Sequence, residues 1–362
     1  MRLTFPHMGD FWVVLRAVIA ELGIDCVVPP PSSARTVTLG TRWAPETACF
    51  PLKLCLGNML EAIEMGADAV LMAGGSGPCR FGYYAQVEKQ ALLDLDKHVD
   101  FYLLEPPQTH PRELLGSLAI LLGRRMARIP RALKIGWEKA LACDDMLERS
   151  HMLRACEKWP GATSQLYSKA IRAIDEAGSV SAVHDAVSGF SAEALAHAGP
   201  RDIRREVHIG VVGEIFMITD PFANLRIEEK LGRLGVVVHR KITITDWIRT
   251  HMFPWPWKRS GGADPRASAR PYLNHFVGGD GIESVGYTVL GAREKLDGMV
   301  HLLPFTCMPE IVARSVLPQV TQDLGIPVLS LSLDEHTGEA GLITRLEAFV
   351  DLLRARREAA SR

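Results

Sequence analysis

Three cysteines offer the chemistry most open to reading. Cys79 lies in Leu71-Met-Ala-Gly-Gly-Ser-Gly-Pro-Cys79-Arg-Phe-Gly-Tyr-Tyr84, an apolar strand that runs out through glycines and delivers the thiol just before a helix. Cys49, in Ala48-Cys-Phe-Pro-Leu-Lys53, and Cys307, in Pro304-Phe-Thr-Cys-Met-Pro-Glu310, stand in similar settings, next to a proline at a helix start. The carboxyl end of a strand is where open α/β sheets bind ligands, and a helix N-terminus favours a thiolate. Three thiolates meeting in space would bind a metal or a metal cluster. Their spacings of 30 and 228 residues lack the compact ferredoxin pattern, so spacing alone leaves that meeting open.

The other candidates are weaker. Cys26, Cys143 and Cys156 read as small core hydrophobes. Cys55 follows Cys49 by six residues, about 600° of helical rotation, and reads as structural. Glu214 ends a strand and could act near a cluster or substrate, or stand as an interface carboxylate. Glu310 reads as facing the first amides of its own helix. Lys53 and Arg80 adjoin candidate ligands and could offset negative charge or receive a partner. Tyr83 and Tyr84 read as packing, and His336 as a surface turn or a contact to partner or substrate. Trp255-Pro-Trp257-Lys-Arg259 is an aromatic and basic patch that could grip a nucleotide-like ligand, dock a partner or simply pack. The loop Ala73-Gly-Gly-Ser-Gly77 lacks the Gly-Lys-Ser/Thr ending of a phosphate loop, so ATP binding by this chain is not expected.

The elements that must position these residues read as an α/β fold. Short apolar strands at 3–5, 24–28, 69–72 and 100–104 alternate with helices at 11–22, 51–65 and 83–93. Residues 36–43 read as a loop, and Pro106-Pro107 as the stop of the fourth strand. Residues 112–198 are helical almost throughout. A second series follows, with strands at 209–215, 236–242, 298–304 and 327–333. In it Asp220 reads as the cap of a helix begun by Pro221, and further helices fall at 283–296, 309–324 and 343–357. Such alternation argues for parallel sheets covered on both faces. The expected organisation is an N-terminal α/β lobe over 1–110, a helical connector or cap over 111–205, and a C-terminal α/β lobe over 206–362. An irregular insertion at 253–281 could act as a lid.

Composition narrows the class. A chain of 362 residues holds about two domains, and 47% hydrophobic with 23% charged residues argues against extensive disorder. A net charge of −1 points to neither nucleic acid nor an anionic membrane. No apolar run of about 18 residues suggests a membrane span, and the first residues do not read as a signal peptide; a cytoplasmic location is expected. Seven cysteines, an odd number, favour metal or redox chemistry over a disulfide framework.

Four motifs together add a family resemblance: Cys49-Phe-Pro-Leu-Lys53, Gly77-Pro-Cys-Arg-Phe-Gly-Tyr-Tyr84, Gly213-Glu-Ile-Phe with Asp220-Pro-Phe-Ala-Asn224, and Asp334-Glu-His-Thr-Gly-Glu-Ala-Gly341. The chain resembles the 2-hydroxyacyl-CoA dehydratase superfamily, nearest its activase-related and double-cubane-type iron–sulfur branch. The resemblance covers most of the chain and is weakest in the helical middle and at 253–281. It implies two Rossmann-like lobes with an iron–sulfur cluster in the cleft between them, ligated by Cys49, Cys79 and Cys307. It also implies a homo- or heterodimer and a separate ATP-hydrolysing activator of the actin and hexokinase type. Three thiolates suit a [4Fe–4S] cluster with one iron left over; a double-cubane [8Fe–9S] cluster, the lesser expectation, would need further ligands from a partner subunit. In the dehydratase version one electron turns a 2-hydroxyacyl thioester into a ketyl radical that loses hydroxide, with Glu214 the candidate catalytic group.

The function expected is therefore reduction or reductive dehydration of a small substrate with low-potential electrons. The alternatives are a non-catalytic electron relay or scaffold subunit, and a structural zinc site of three cysteines.

Overall fold

A computed structural model describes residues 1–75, 77–105, 111–200, 202–252 and 263–360. The first lobe runs β1 (Arg2–Thr4), α1 (Phe11–Glu21), β2 (Asp25–Cys26), α2 (Ala34–Trp43), α3 (Phe50–Glu64) and β3 (Ala69–Ala73). A 3-10 turn (Arg80–Tyr83) then enters α4 (Tyr84–Asp94), followed by β4 (Asp100–Leu104) and α5 (Pro111–Leu122). The middle holds α6 (Ile129–Ala155), α7 (Ala162–Glu176) and α8 (Val180–His197). The second lobe runs β5 (His208–Gly213), α9 (Ile215–Thr219), α10 (Ile227–Arg233), β6 (Val237–Arg240), α11 (Ile244–Met252), α12 (Pro265–Ala269) and α13 (Gly281–Arg293). It closes with β7 (Gly298–Pro304), α14 (Met308–Leu324), β8 (Val328–Leu333) and α15 (Glu339–Ala360).

Both sheets are four-stranded and wholly parallel, in the orders β2-β1-β3-β4 and β6-β5-β7-β8. The expected α/β class with two Rossmann-like lobes holds. The central strands are apolar throughout because helices cover both faces: every residue of β7 is buried, as are Ala69–Met72 of β3. In each sheet the order reverses beside the central pair, β1/β3 and β5/β7, and ligand crevices open at the carboxyl ends of strands at such a point.

One apolar core joins the lobes. Leu54, Leu56 and Met59 of α3 cluster with Val70, Val211, Ile218 and Leu302. Polar contacts reinforce this joint: Ser32 Oγ donates to Asp220 Oδ2 at 2.8 Å, and Lys53 pairs with Glu335. Among the middle helices, α6 ties into the second lobe through Asp144, which accepts from the amide and hydroxyl of Thr245 at 2.9 and 2.6 Å. His151 of α6 lies 3.2 Å from Glu228, whose carboxylate is held by Arg240 at 2.8 and 2.5 Å. No helix among the described residues is long and apolar enough to cross a membrane.

Three local expectations need correction. Residues 34–43 are helix α2, not a loop. Ser33 caps it, in a reciprocal capping box with Thr36, and the close approach of Gly40 to α3 compensates a poor intrinsic propensity. Asp220 does not open a helix at Pro221. It follows α9 and caps a turn by accepting from the amides of Phe222 and Ala223, both at 2.9 Å. The insertion is only partly irregular. Residues 253–262, with the Trp255–Arg259 patch, lie outside the described residues, as do Ser76 and Pro106-Pro107. The remainder forms α12 and a glycine turn packed beside Cys79.

Candidate functional site

Each of the three cysteines stands at the N-cap of a helix: Cys49 before α3, Cys79 before the 3-10 turn, and Cys307 before α14. The local sequence explains this. Pro51 and Pro309 sit in the first turns of α3 and α14, where a missing N–H costs nothing and the fixed φ suits a helix. None of the three thiols makes a capping hydrogen bond. The backbone amides of Leu52, Phe81 and Glu310 at these helix ends favour negative charge on the three sulfurs.

The lobes bring these thiols together. Cys49 acts electrostatically on both Cys79 and Cys307, and Glu214 acts on all three. Side-chain donors close the arrangement: the Arg80 guanidinium donates to the carbonyl of Thr47 at 2.8 Å, and the Thr306 hydroxyl donates to the same carbonyl at 3.5 Å. Cys49 and Cys307 are buried, and Cys79 is half-buried. Burial pushes all three thiols up, Cys79 to about 11. All seven cysteines are thiols and none is in a disulfide. Cys55, fully enclosed, lies within electrostatic reach of Cys49 and Glu88. Cys26, Cys143 and Cys156 lie away from the three, on β2, on α6 and at the end of α6.

Tyr84 belongs to the site rather than to general packing. It is buried, and its hydroxyl lies 2.6 Å from Cys49 Sγ. Tyr83, in contrast, is 74% exposed. One turn further along α4, Glu88 is fully buried with neither carboxyl oxygen partnered, and burial raises it to about 8. In the sequence Tyr84 stands in the Cys79 motif but reads as packing, and nothing marks Glu88; their four-residue spacing, which puts them on one helix face, is the signal that could have joined them.

The second lobe supplies acids. Glu214 caps α9, its Oε2 accepting from the amide of Met217 at 3.0 Å. It is raised to about 7, chiefly by burial, so near neutral pH it is poised to hold or release a proton. Glu310 does not turn to its own helix amides as expected. It reaches into β7, where its Oε2 lies 2.8 Å from His301 Nε2, with both side chains wholly buried. His301 Nδ1 is 3.1 Å from Ser330 Oγ on the neighbouring strand. The second oxygen of Glu310 has no partner. Asp280, absent from the sequence candidates, is buried beside this group and accepts the amide of Ile215 at 3.1 Å.

Lys53 and His336 border a different feature. A cavity of about 510 Å³ is lined by Thr38, Thr41, Lys53, Glu335 and His336, among others. Lys53 is neutralised there by Glu335 across the lobes. It is Arg80, exposed, whose guanidinium acts on Cys49.

Tested against an iron–sulfur cluster, the residues fit. Three thiols at uncapped helix ends match a soft, anion-stabilising donor set. Gly278 and Gly279, both at positive φ, press on Cys79, and a Cβ at 278 would stand 2.8 Å from its amide nitrogen. That turn keeps the surroundings of the sulfur free of side-chain bulk. Buried carboxyls without a cation also ask for a proton or a metal. Among the described residues no three His, Cys, Asp or Glu side chains close tightly enough to hold a single ion; the thiolates of a cluster each bind a different iron and stand wider apart.

Compared with known proteins, the chain matches no protein-family model and no curated protein.

Proposed function

We infer that the chain is a cytoplasmic iron–sulfur protein that takes low-potential electrons from an ATP-hydrolysing activator and uses them in a difficult reduction or reductive dehydration. The observation that carries this reading is that Cys49, Cys79 and Cys307 each stand at a helix N-cap, with Arg80 and Thr306 beside two of them reaching the Thr47 carbonyl near the third. A [4Fe–4S] cluster held by these cysteines would supply single electrons at low potential. The chain's own residues would do the rest. Tyr84 hydrogen-bonds the Cys49 sulfur, and the shared apolar core around α3 and β7 keeps water from that side. Glu214 is the acid suited to protonate a leaving hydroxyl, since burial raises its carboxyl to about 7. The substrate class is a small molecule, with a 2-hydroxyacyl thioester the version the motifs suggest. A dimer with itself or with a related subunit belongs to the same reading.

A second reading, an electron relay without its own substrate, is favoured by one observation: the buried carboxylate of Asp280 acts on the Cys79 thiol, beside which its chain neighbour Gly279 packs.

The test is iron and sulfide content, with EPR before and after dithionite, on protein purified without oxygen. About four irons and four sulfides per chain are expected, the number one cubane holds. Cys49→Ser, Cys79→Ser and Cys307→Ser should each lower that content or alter the signal, while Cys143→Ser should not. A colourless protein with no iron after anaerobic reconstitution would overturn the reading and favour zinc.

A further inference from the structure

The two lobes repeat one plan, and the repeat singles out a residue. In each sheet the third strand in chain order leads to a helix-capping cysteine: β3 to Cys79 and β7 to Cys307. In each lobe one helix precedes that strand, α3 before β3 and α13 before β7. The N-cap of α3 is Cys49 and the N-cap of α13 is Asp280. Each N-cap precedes its strand by a similar distance, 20 residues from Cys49 to Ala69 and 18 from Asp280 to Gly298. Asp280 thus holds in the second lobe the position Cys49 holds in the first. Cys49, Cys79, Cys307 and Asp280 form a pseudo-symmetric set of four.

The surroundings of Asp280 suit a ligand better than a structural carboxylate. It is 3% exposed. It makes no capping bond to its own helix, and its Oδ2 takes the Ile215 amide. The charged groups acting on it most strongly are Glu283, Glu214 and Glu310, with no cation among them. Arg266, the guanidinium on that side, is engaged by Glu283. Asp280 also acts on Cys79, and the preceding residue, Gly279, places its Cβ position 3.8 Å from the Cys79 sulfur. Glu310, whose carboxylate acts on Asp280, adds an independent observation: its Oε1 is wholly buried and unpartnered. Buried carboxylates are ordinarily paired or bound to metal.

We propose that Asp280 is the fourth protein ligand of the cluster, its carboxylate binding the iron that three thiolates leave over. This rests on the iron–sulfur reading. A carboxylate is a harder and less electron-donating ligand than a thiolate, so one iron becomes distinct from the other three. It should be the iron lost first on oxidation and the one open to added ligands.

The experiment compares wild-type protein with Asp280→Ala, Asp280→Asn and Asp280→Cys, all reconstituted anaerobically. It reads iron and sulfide per chain, the EPR spectrum of the reduced state, the midpoint potential and the response to added cyanide. Far-ultraviolet circular dichroism of each apoprotein establishes that it folds. The expected result is a shifted spectrum in every variant and a lower midpoint potential in Asp280→Cys. Cyanide should alter the Asp280→Ala spectrum at concentrations that leave Asp280→Cys unchanged. Spectra and potentials identical to wild type in all three loaded variants would overturn the proposal while leaving the cluster in place. Wild-type protein that takes up no iron would overturn the iron–sulfur reading, and the ligand assignment with it.

Discussion

The hydroxyl of Tyr84 lies 2.6 Å from the sulfur of Cys49, both side chains being buried. A donor at that distance stabilises negative charge on sulfur, and hydrogen bonds to cluster sulfurs are among the levers that set potential. Tyr84→Phe removes the hydroxyl and keeps the ring, which packs edge-on against Phe81 at a centroid distance of 5.1 Å. The expected outcome is a lower midpoint potential in a redox titration of the loaded protein, with iron content unchanged. The apoprotein should lose about 1 kcal/mol in urea unfolding, the net worth of one hydrogen bond. An unchanged potential would remove Tyr84 from the site.

Lys53 and Glu335 form an ion pair between the lobes, with side chains only 7% and 14% exposed. Deleting one partner of a buried pair leaves an uncompensated charge, whereas replacing both by apolar groups is often neutral. Glu335→Gln should therefore cost about 3 kcal/mol, at the lower end of the usual range because Glu335 keeps some contact with water. The double variant Lys53→Met/Glu335→Leu should recover most of it. Urea midpoints of the three proteins test this, and a double variant no better than the single one would show that the pair is more than an electrostatic latch.

The parallel lobes were legible because buried strands such as Val70–Met72 and Val211–Val212 are apolar without alternation, and because proline and glycine punctuate the helices. The three cysteines were legible from their flanking prolines. Helix α2 was not, since Thr36, Val37, Thr38 and Thr41 are β-branched and Gly40 is a poor helix former; a tertiary contact overrides them. Asp280 was hidden in Val277-Gly-Gly-Asp-Gly281, which reads as loop until its turn is seen against Cys79. Glu310 has a partner on β7, nine residues back, and helix-end reasoning cannot reach it.

Glu88 gives a pH signature. Its folded-state value is raised from 4.5 to about 8 by burial alone. Between these values the folded protein keeps a proton that the unfolded chain has lost, so stability falls as pH rises through that window and levels off above about 8. Glu88→Gln abolishes this dependence. Its unfolding free energy relative to wild type should rise between pH 5 and pH 8.5, by an amount on the order of a few kcal/mol at about 1.4 kcal/mol per pH unit. Parallel slopes in urea titrations at the two pH values would mean that Glu88 ionises freely.

The helix that carries Cys49 is held by a close crossing. A Cβ on Gly40 of α2 would stand 1.7 Å from the carbonyl oxygen of Lys53, and one on Gly57 of α3 would stand 2.1 Å from that of Thr36. Both obstacles are backbone, which cannot rotate aside, so a methyl group must push the helices apart. Gly40→Ala should cost about 2–3 kcal/mol, as overpacking does, despite the better helix propensity of alanine. Because Lys53 lies one turn into α3, the displacement reaches the Cys49 end and should lower iron uptake as well. Gly116 of α5 is the control: it is exposed and its Cβ position meets nothing within 4 Å. Gly116→Ala should gain about 0.5–1 kcal/mol from propensity alone and leave iron uptake unchanged. Thermal melts with iron assays on both variants separate the two effects, and a Gly40→Ala protein as stable as wild type would refute the close crossing.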